Sequence, residues 1–469
     1  MGRRALKLFM TAAPLVLVSM QMQAPASAQG SAAITMTTTS AKKKLAKAEQ
    51  SPGWSTSADA TTTDTIVVKP TEKYQTVLGF GGAFTGAACY NFSQMNDSQR
   101  SKLLQELFSP SELNLSVCRT TIGASDYSTH AYSYSEGKAD VGMKRFSIEE
   151  DRKFILPTLR EALKVNPDLF LFSSPWSPPA WMKVGKSMTG GIIQKKYFES
   201  YASYFAHFLQ AYAAEGVKIK AVTVQNEVDT DQGGKMPACA WPQEYEADFT
   251  TMHLGPLLQG VGLDTEIWLI DHNYNLWGRA IATLETPDVR KYAKGIAWHG
   301  YLGEPEWMTR VHNAAPDINM YWTEGGPDYN EKYYLTNWSK WATTFTGIMR
   351  NWSKSITVWN LALDETGKPN IGPFNCGGLV QVDSKTKEVT RSGQFYAIAQ
   401  FSKFVKRGAV RINSTGNLED VAHVAFENPD GKHVLIITNS GAGKTVTIKE
   451  GTQKALLTLD PDSVSTLVW

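Results

Sequence analysis

Cysteine is scarce in this chain of 469 residues: four, at Cys89, Cys118, Cys239 and Cys376. So few thiols make no disulfide framework. Cys118 sits in an apolar run and reads as a small buried hydrophobe. Cys239 and Cys376 fall in loop-like stretches, where an oxidising compartment permits pairing but does not require it. There is no Cys-x-x-Cys and no His-Glu-x-x-His. The zinc signatures are therefore missing, and neither a metal nor an organic cofactor is expected. A dominant charge is also lacking: 47 Lys and Arg stand against 45 Asp and Glu, a net of +2, with no basic stripe. Nucleic-acid binding is left without support. No apolar run approaches the ~20 residues that a membrane-spanning helix needs.

Residues 1–28 have the form of a secretory signal. Arg3, Arg4 and Lys7 precede the apolar stretch Leu8 to Val18, and Ala26-Ser27-Ala28 offers a small-residue cleavage site. The expected location is secreted or periplasmic. Residues 29–63 are rich in Ser, Thr, Ala and Lys and read as a flexible lead-in.

From 77 to 390, short apolar runs alternate with helical patterns. The strand candidates are Val77–Phe80, Leu115–Thr121, Leu169–Phe172, Ala221–Gln225, Glu266–Ile270, Gly295–Trp298, Ile318–Thr323 and Thr357–Leu361. Amphipathic segments such as Ser98–Phe108, Ile148–Lys164 and Tyr197–Glu215 lie between them. Eight such repeats predict an α/β fold, a (β/α)8 barrel. Ser147-Ile148-Glu149-Glu150 fits a helix capping box. Residues 391–469 change rhythm: closely spaced strand-like pieces separated by Gly and Asn/Asp turns predict an all-β appendage. The strand-like residues 64–76 are placed in the same sheet. Gly441-Ala442-Gly443-Lys444-Thr445 resembles a phosphate loop, but Thr438 stands where its first glycine belongs and no helix follows; it reads as a hairpin turn.

The chemistry lies at the strand ends. Glu227 closes Ala221-Val222-Thr223-Val224-Gln225-Asn226-Glu227, and Glu324 closes Met320-Tyr321-Trp322-Thr323-Glu324. In a (β/α)8 barrel the C-terminal strand ends share one mouth, where catalysis occurs. Two carboxylates meeting in an aromatic mouth are what cleavage of a glycosidic bond requires. Trp176, Trp298, Trp322 and Trp359 offer flat platforms for a sugar ring. Asp126, Asn226, His299, Tyr301 and Asn360 offer hydrogen bonds to its hydroxyls. A rival reading, a metal-dependent hydrolase built on Asp271, His272 and His299, lacks ligand spacing. Each residue taken alone has a structural explanation. Their coincidence at one end of every strand is what core packing does not predict.

Several segments together resemble glycoside hydrolase family 30. They are Gly79-Phe80-Gly81-Gly82-Ala83-Phe84-Thr85-Gly86, Ser173-Ser174-Pro175-Trp176-Ser177-Pro178-Pro179-Ala180-Trp181-Met182-Lys183, Asn226-Glu227, Thr323-Glu324 and Trp359-Asn360-Leu361-Ala362-Leu363. The likeness runs from about Thr65 to the C-terminus and is greatest to the branch of lysosomal glucosylceramidase (acid β-glucosidase). It implies a barrel fused to a β-sandwich built from both chain ends, and hydrolysis of β-glycosides with retention. It implies Glu227 as acid/base, Glu324 as nucleophile, and Asn226 beside the sugar 2-hydroxyl. Asp126, Trp176, Trp359 and Asn360 match positions lining the pocket, with His299 and Tyr301 nearby. Asn226-Glu227-Val228 departs from the usual Asn-Glu-Pro, and Asp229 to Trp241 is expected to shape the leaving-group side. The expectation is an exo-acting β-glucosidase of glucosylceramidase type on a carbohydrate or glycolipid. The alternatives are an endo-acting β-1,6-glucanase or xylan-directed enzyme, and, from another class, a catalytically inactive carbohydrate-binding protein.

Overall fold

The computed structural model describes residues 1–2, 33–49, 52–57 and 62–469. The signal-like segment from Arg3 to Ala28 lies outside them. Among the described residues no helix is long and apolar enough to cross a membrane.

Strands β1 (Thr35–Ser40), β2 (Lys43–Lys47) and β3 (Thr65–Thr76) come first. Eight parallel strands then close a barrel: β4 (Gly79–Phe84), β5 (Val117–Thr121), β6 (Phe170–Ser174), β7 (Ile219–Thr223), β8 (Glu266–Asn273), β9 (Ala293–His299), β10 (Asn319–Glu324) and β11 (Ser353–Asn360). These are the eight runs expected from the sequence, with shifted bounds. A small sheet follows, of β12 (Ala362–Leu363), β13 (Val380–Val382) and β14 (Val389–Arg391). The tail gives β15 (Val410–Thr415), β16 (Val421–Glu427), β17 (His433–Asn439), β18 (Lys444–Glu450), β19 (Gln453–Leu459) and β20 (Ser463–Val468).

The barrel is packed, not hollow. Val117, Phe172, Ala221, Trp268, Ala297 and Tyr321 fill its lower interior, with Trp268 stacked on Tyr321 at 3.8 Å between ring centroids. The wall is tightest at Gly81, where a Cβ would sit 1.9 Å from the Val117 carbonyl oxygen. Only glycine allows that approach. Helices such as Asp97–Phe108, Phe198–Ala214 and Trp338–Arg350 cover the outside with their apolar faces. The segment Ile148–Lys164 is broken into Glu149–Arg152 and Ile155–Val165. Its expected capping box does not form: Ile148 takes the cap position with no side-chain cap bond. A capping box stands instead at Asn96 and Gln99.

The remaining long strands form a nine-stranded ladder, β19-β18-β3-β15-β16-β17-β20-β1-β2, the β-sandwich. Register shifts in the β3–β15 pair interrupt it. The sequence expectation needs two corrections here. The lead-in is not structureless throughout: β1 pairs antiparallel with β20 from Thr35↔Val468 to Thr39↔Val464. The Gly441–Thr445 turn is no hairpin, since β17 pairs with β16 and β20 while β18 pairs with β3 and β19. It is a crossover. The helix Gly393–Ser402 packs its Phe401 ring against Phe80 and Phe345 of the barrel and accepts at the Gln400 carbonyl from Thr466 Oγ1 of β20 at 2.8 Å, so barrel and sandwich meet across it.

Candidate active site

Strand alternation alone points one residue in two inward. Three ladders break that rule at the C-terminal ends of barrel strands. Register shifts lie between Ile270 and His272, between Trp322 and Glu324, and between Val358 and Asn360. A bulge re-aims side chains in this way. Each one turns two consecutive residues toward the mouth: Asp271 with His272, Thr323 with Glu324, and Trp359 with Asn360. Glu227 follows β7 on a loop with φ of 57°, a left-handed conformation that a glutamate adopts only when held. Its amide donates to the Asp271 carbonyl at 2.9 Å.

Arg119 is the hub. It is fully buried inside β5. Its Nη1 donates to Glu324 Oε2, its Nη2 to Asn226 Oδ1 and Asp271 Oδ2 at 2.7 Å each, and its Nε to Ser174 Oγ at 3.0 Å. The guanidinium also lies 4.7 Å from the Trp176 ring centroid. Asp271 takes donors on both oxygens: Arg119, Ser174 and Thr223 on Oδ2, His299 and Thr323 on Oδ1. Burial pushes its pKa up, but Arg119 and His299 outweigh that and hold it far below the usual carboxylate range. The Asp271 carboxylate has no oxygen left for a metal, which removes the rival site of Asp271, His272 and His299.

Glu324 Oε1 accepts from the Tyr301 hydroxyl at 3.1 Å. Glu227 Oε2 accepts from Gln232, and its Oε1 lies 3.5 Å from His299 Nδ1 and 3.7 Å from His272 Nε2. Burial, then the neighbouring charges of Glu227 and Asp271, raise Glu324 against the pull of His299 and Arg119. Glu227 is also pushed up by burial, but the His299 hydrogen bond and the His272 charge hold it below the usual range. His299 itself loses by burial and gains more from Glu324 and Asp271, ending raised to about 9. Two cations, Arg119 and His299, thus face the three carboxyls of Asp271, Glu227 and Glu324. The cluster is neutral when Glu227 and Glu324 share one proton, and such a pair titrates as a unit.

Above the carboxyls is a cavity of about 500 Å³. Its walls include Asp126, Trp176, Asn226, Tyr301, Trp359 and Phe374. Trp176 and Trp359 stack at 5.1 Å. Asp126 Oδ1 is buried without a hydrogen-bond partner, as is Asn360 Nδ2. Asp126 lines the cavity, where a ligand can complete the bonding of that oxygen. Burial and the charges of Glu324 and Glu227 raise Asp126 well above its ordinary value.

Residues 77–405 match the profile described as Glycosyl hydrolase family 30 TIM-barrel domain, and residues 408–467 that of the Glycosyl hydrolase family 30 beta sandwich domain. The chain belongs to glycoside hydrolase family 30. It is 34% identical over 426 residues to an endo-1,6-beta-D-glucanase of Neurospora crassa, spanning 86% of each chain. It is 29% identical over 427 residues to the lysosomal acid glucosylceramidase of Mus musculus, 86% of this chain and 83% of that one. Among solved structures, an endo-beta1,6-glucanase superposes with a TM-score of 0.85 at 32% identity, covering 93% of this chain and 99% of the other.

Within this family 30 site, Glu227, Glu324, Asp126, Trp176, Asn226, Tyr301 and Trp359 all line the cavity. His299 and Asn360 lie buried behind its wall. Trp298 and Trp322 do not line this cavity. Alternation turns both outward into the layer between barrel and helices, where the Trp298 Nε1–H reaches Met320 Sδ and Trp322 packs edge-on to Phe345. Cys239 and Cys376 are free thiols. Sequence reasoning missed Arg119 as a site member, named Asp271 only in the rejected metal reading, and reached Gln232 only as part of the Asp229–Trp241 segment. The signal for Arg119 was legible: a charge inside Val117-Cys118-Arg119-Thr120-Thr121 needs buried partners.

Proposed function

We propose that this glycosidase is exported and cleaves β-glucosidic bonds with retention of configuration. One observation carries the reading: carboxylate oxygens of Glu227 and Glu324 and a nitrogen of His299 lie within 4.8 Å of one another. Retaining enzymes hold their carboxyls ~5–5.5 Å apart, whereas inverting ones leave ~6.5–9.5 Å for a water. Glu324, oriented by Arg119 and Tyr301, attacks the anomeric carbon as the exocyclic bond breaks. Glu227 delivers its proton to the departing oxygen, then takes one from the water that hydrolyses the ester. The first step needs the shared proton on Glu227, with Glu324 ionised. Once Glu324 is esterified its charge is gone, and Glu227 falls further, as its role as base requires.

The substrate class supported best is β-1,6-glucan. The pocket accepts one glucosyl unit between Asp126, Trp176 and Trp359, and the likeness to proteins named as endo-1,6-β-glucanases favours a glucan as the remainder. A second reading, exo action on an aryl- or lipid-linked glucoside, is favoured by those same three residues, which bound the sugar pocket, and by the glucosylceramidase relative. Initial rates on aryl β-glucoside, aryl β-xyloside, glucosylceramide, β-1,6-glucan and xylan, with Glu324→Gln as the blank, separate the two. Oligosaccharides from the glucan support the first. Glucose as the sole product from every substrate supports the second. An inverted anomer in the first NMR spectra of the product sinks retention. The N-terminal residue of exported protein tests cleavage after Ala28.

A further inference from the structure

Gln232 reaches Glu227 from the tip of a loop. Its Nε2 donates to Glu227 Oε2, and its side chain lines the cavity. The tip is strained: Gln232 has φ of 53°, and Gly233 and Gly234 follow at 59° and 69°. A side chain on such a tip keeps its aim only when the base of the loop is fixed. Here the base leans on a second loop. The Gly190 amide donates to the Met236 carbonyl at 3.2 Å, the Ala238 amide to the Met188 carbonyl at 3.2 Å, and the Ala240 amide to the Gly191 carbonyl at 2.9 Å. Asp231 Oδ2 accepts from the Gly191 amide at 3.2 Å. Both partners are irregular segments, so their pairing alone does not tie either to the barrel.

Lys183 supplies the tie. It is 1% exposed. Its ammonium donates to the Met188 carbonyl at 2.9 Å, to the Ala238 carbonyl at 2.5 Å and to Ser177 Oγ at 3.0 Å. The first acceptor is on one loop, the second on the other, and the third just beyond the end of β6. All three donors are thus spent on neutral oxygens, and burial lowers the Lys183 pKa to about 8. Burying an ammonium is costly, and methionine would fill similar space without that cost. What the ammonium adds is one point that joins both loops to the strand end. We infer that Lys183 is a positioning residue for proton donation, acting through the loop that holds Gln232 against Glu227. The inference rests on Glu227 being the acid/base and extends that role to a side chain outside the cavity. Glu324 is oriented by Arg119 and Tyr301, on other elements, so its attack does not depend on this tie.

The readout is the ratio of kcat/KM for phenyl β-glucoside to that for its dinitrophenyl counterpart, or for the matching β-1,6-linked diglucosides if the monoglucosides are not cleaved. Phenol leaves poorly and needs the proton, whereas dinitrophenolate does not. Lys183→Met keeps the bulk and removes the donors; the ratio is expected to fall about tenfold, with the dinitrophenyl substrate losing less than about threefold. Gln232→Met should behave alike, and the double variant should lose no more than the larger single loss, because one residue acts through the other. Ser177→Ala removes one acceptor at little risk to the fold and should lower the ratio about threefold. It decides alone if Lys183→Met does not fold. An unchanged ratio, equal losses on both substrates, or additive losses in the double variant overturns the inference. Glu227→Ala is the control: if it leaves the ratio unchanged, the acid/base reading itself falls, and the inference with it.

Discussion

His299 Nδ1 lies 3.5 Å from Glu227 Oε1 while its Nε2 lies 3.0 Å from Asp271 Oδ1. Both ring nitrogens therefore face carboxylates, the environment of an imidazolium, in keeping with a pKa raised to about 9. That charge is one of the forces holding Glu227 low. Glu227 must carry a proton to act as acid, so loss of the proton that it shares with Glu324 sets the alkaline limb of kcat/KM. His299→Gln removes the charge, and the limb is expected to move up by roughly one pH unit. A limb that stays in place, or moves down, contradicts this coupling.

The same histidine links stability to pH. Its folded pKa, about 9, exceeds its ordinary 6.5. The stabilisation is therefore complete below 6.5 and is lost as pH rises to about 9. Urea midpoints of wild type and His299→Gln are expected to converge across that window. Parallel curves would show that the imidazole is neutral throughout.

Arg119 offers the sharpest loss. Arg119→Met leaves Asp271 and Glu324 without the cation that both contact. Removing one partner of a buried ion pair costs roughly 3–5 kcal/mol. Chemical unfolding should show that cost, and kcat should fall at least about a hundredfold as Glu324 loses its orientation. Arg119→Lys should recover little, because a single ammonium cannot reach the four acceptors that the planar fork serves. Full stability in Arg119→Met would mean that Asp271 is neutral, against its held-down pKa.

The strands and both glutamates were readable because burial on both faces writes a near-continuous apolar run, and each run stops where the chemistry starts. The bulges were not. Each inserts a single step in register, and no residue type marks it, so Trp322 and Glu324 looked alike in periodicity while the structure sends one out and the other in. Strands β1 and β2 escaped for another reason. Thr-Met-Thr-Thr-Thr-Ser and Lys-Lys-Leu-Ala-Lys bury little apolar surface. β1 is held by backbone pairing with β20 and by side-chain bonds such as Gln400 Nε2 to Thr39 Oγ1, 361 residues away, and β2 by pairing with β1. Local composition contains no trace of such partners.

Asp151 shows how the pocket is held from behind. It is fully buried, and three tyrosine hydroxyls donate to it: Tyr132 at 2.6 Å, Tyr134 and Tyr212 at 2.5 Å. Tyr132 and Tyr134 end the loop that carries Asp126, and the Ala124 amide donates to the Tyr132 carbonyl within it. Asp151→Asn puts an NH2 where an acceptor was, so at least one hydroxyl loses its bond, at a cost of roughly 1–3 kcal/mol. The loop loosens and Asp126 shifts. KM for the aryl β-glucoside is then expected to rise severalfold, with a smaller change in kcat. The pH dependence gives a second handle. Burial lifts Asp151 from 3.8 to about 6 against the three hydroxyl bonds. A raised carboxyl stabilises most below 3.8 and loses that contribution as pH climbs to about 6. Asn does not titrate, so the stability gap between wild type and Asp151→Asn should narrow over that range. A gap that widens instead would mean that the tyrosine cage favours the carboxylate over the acid.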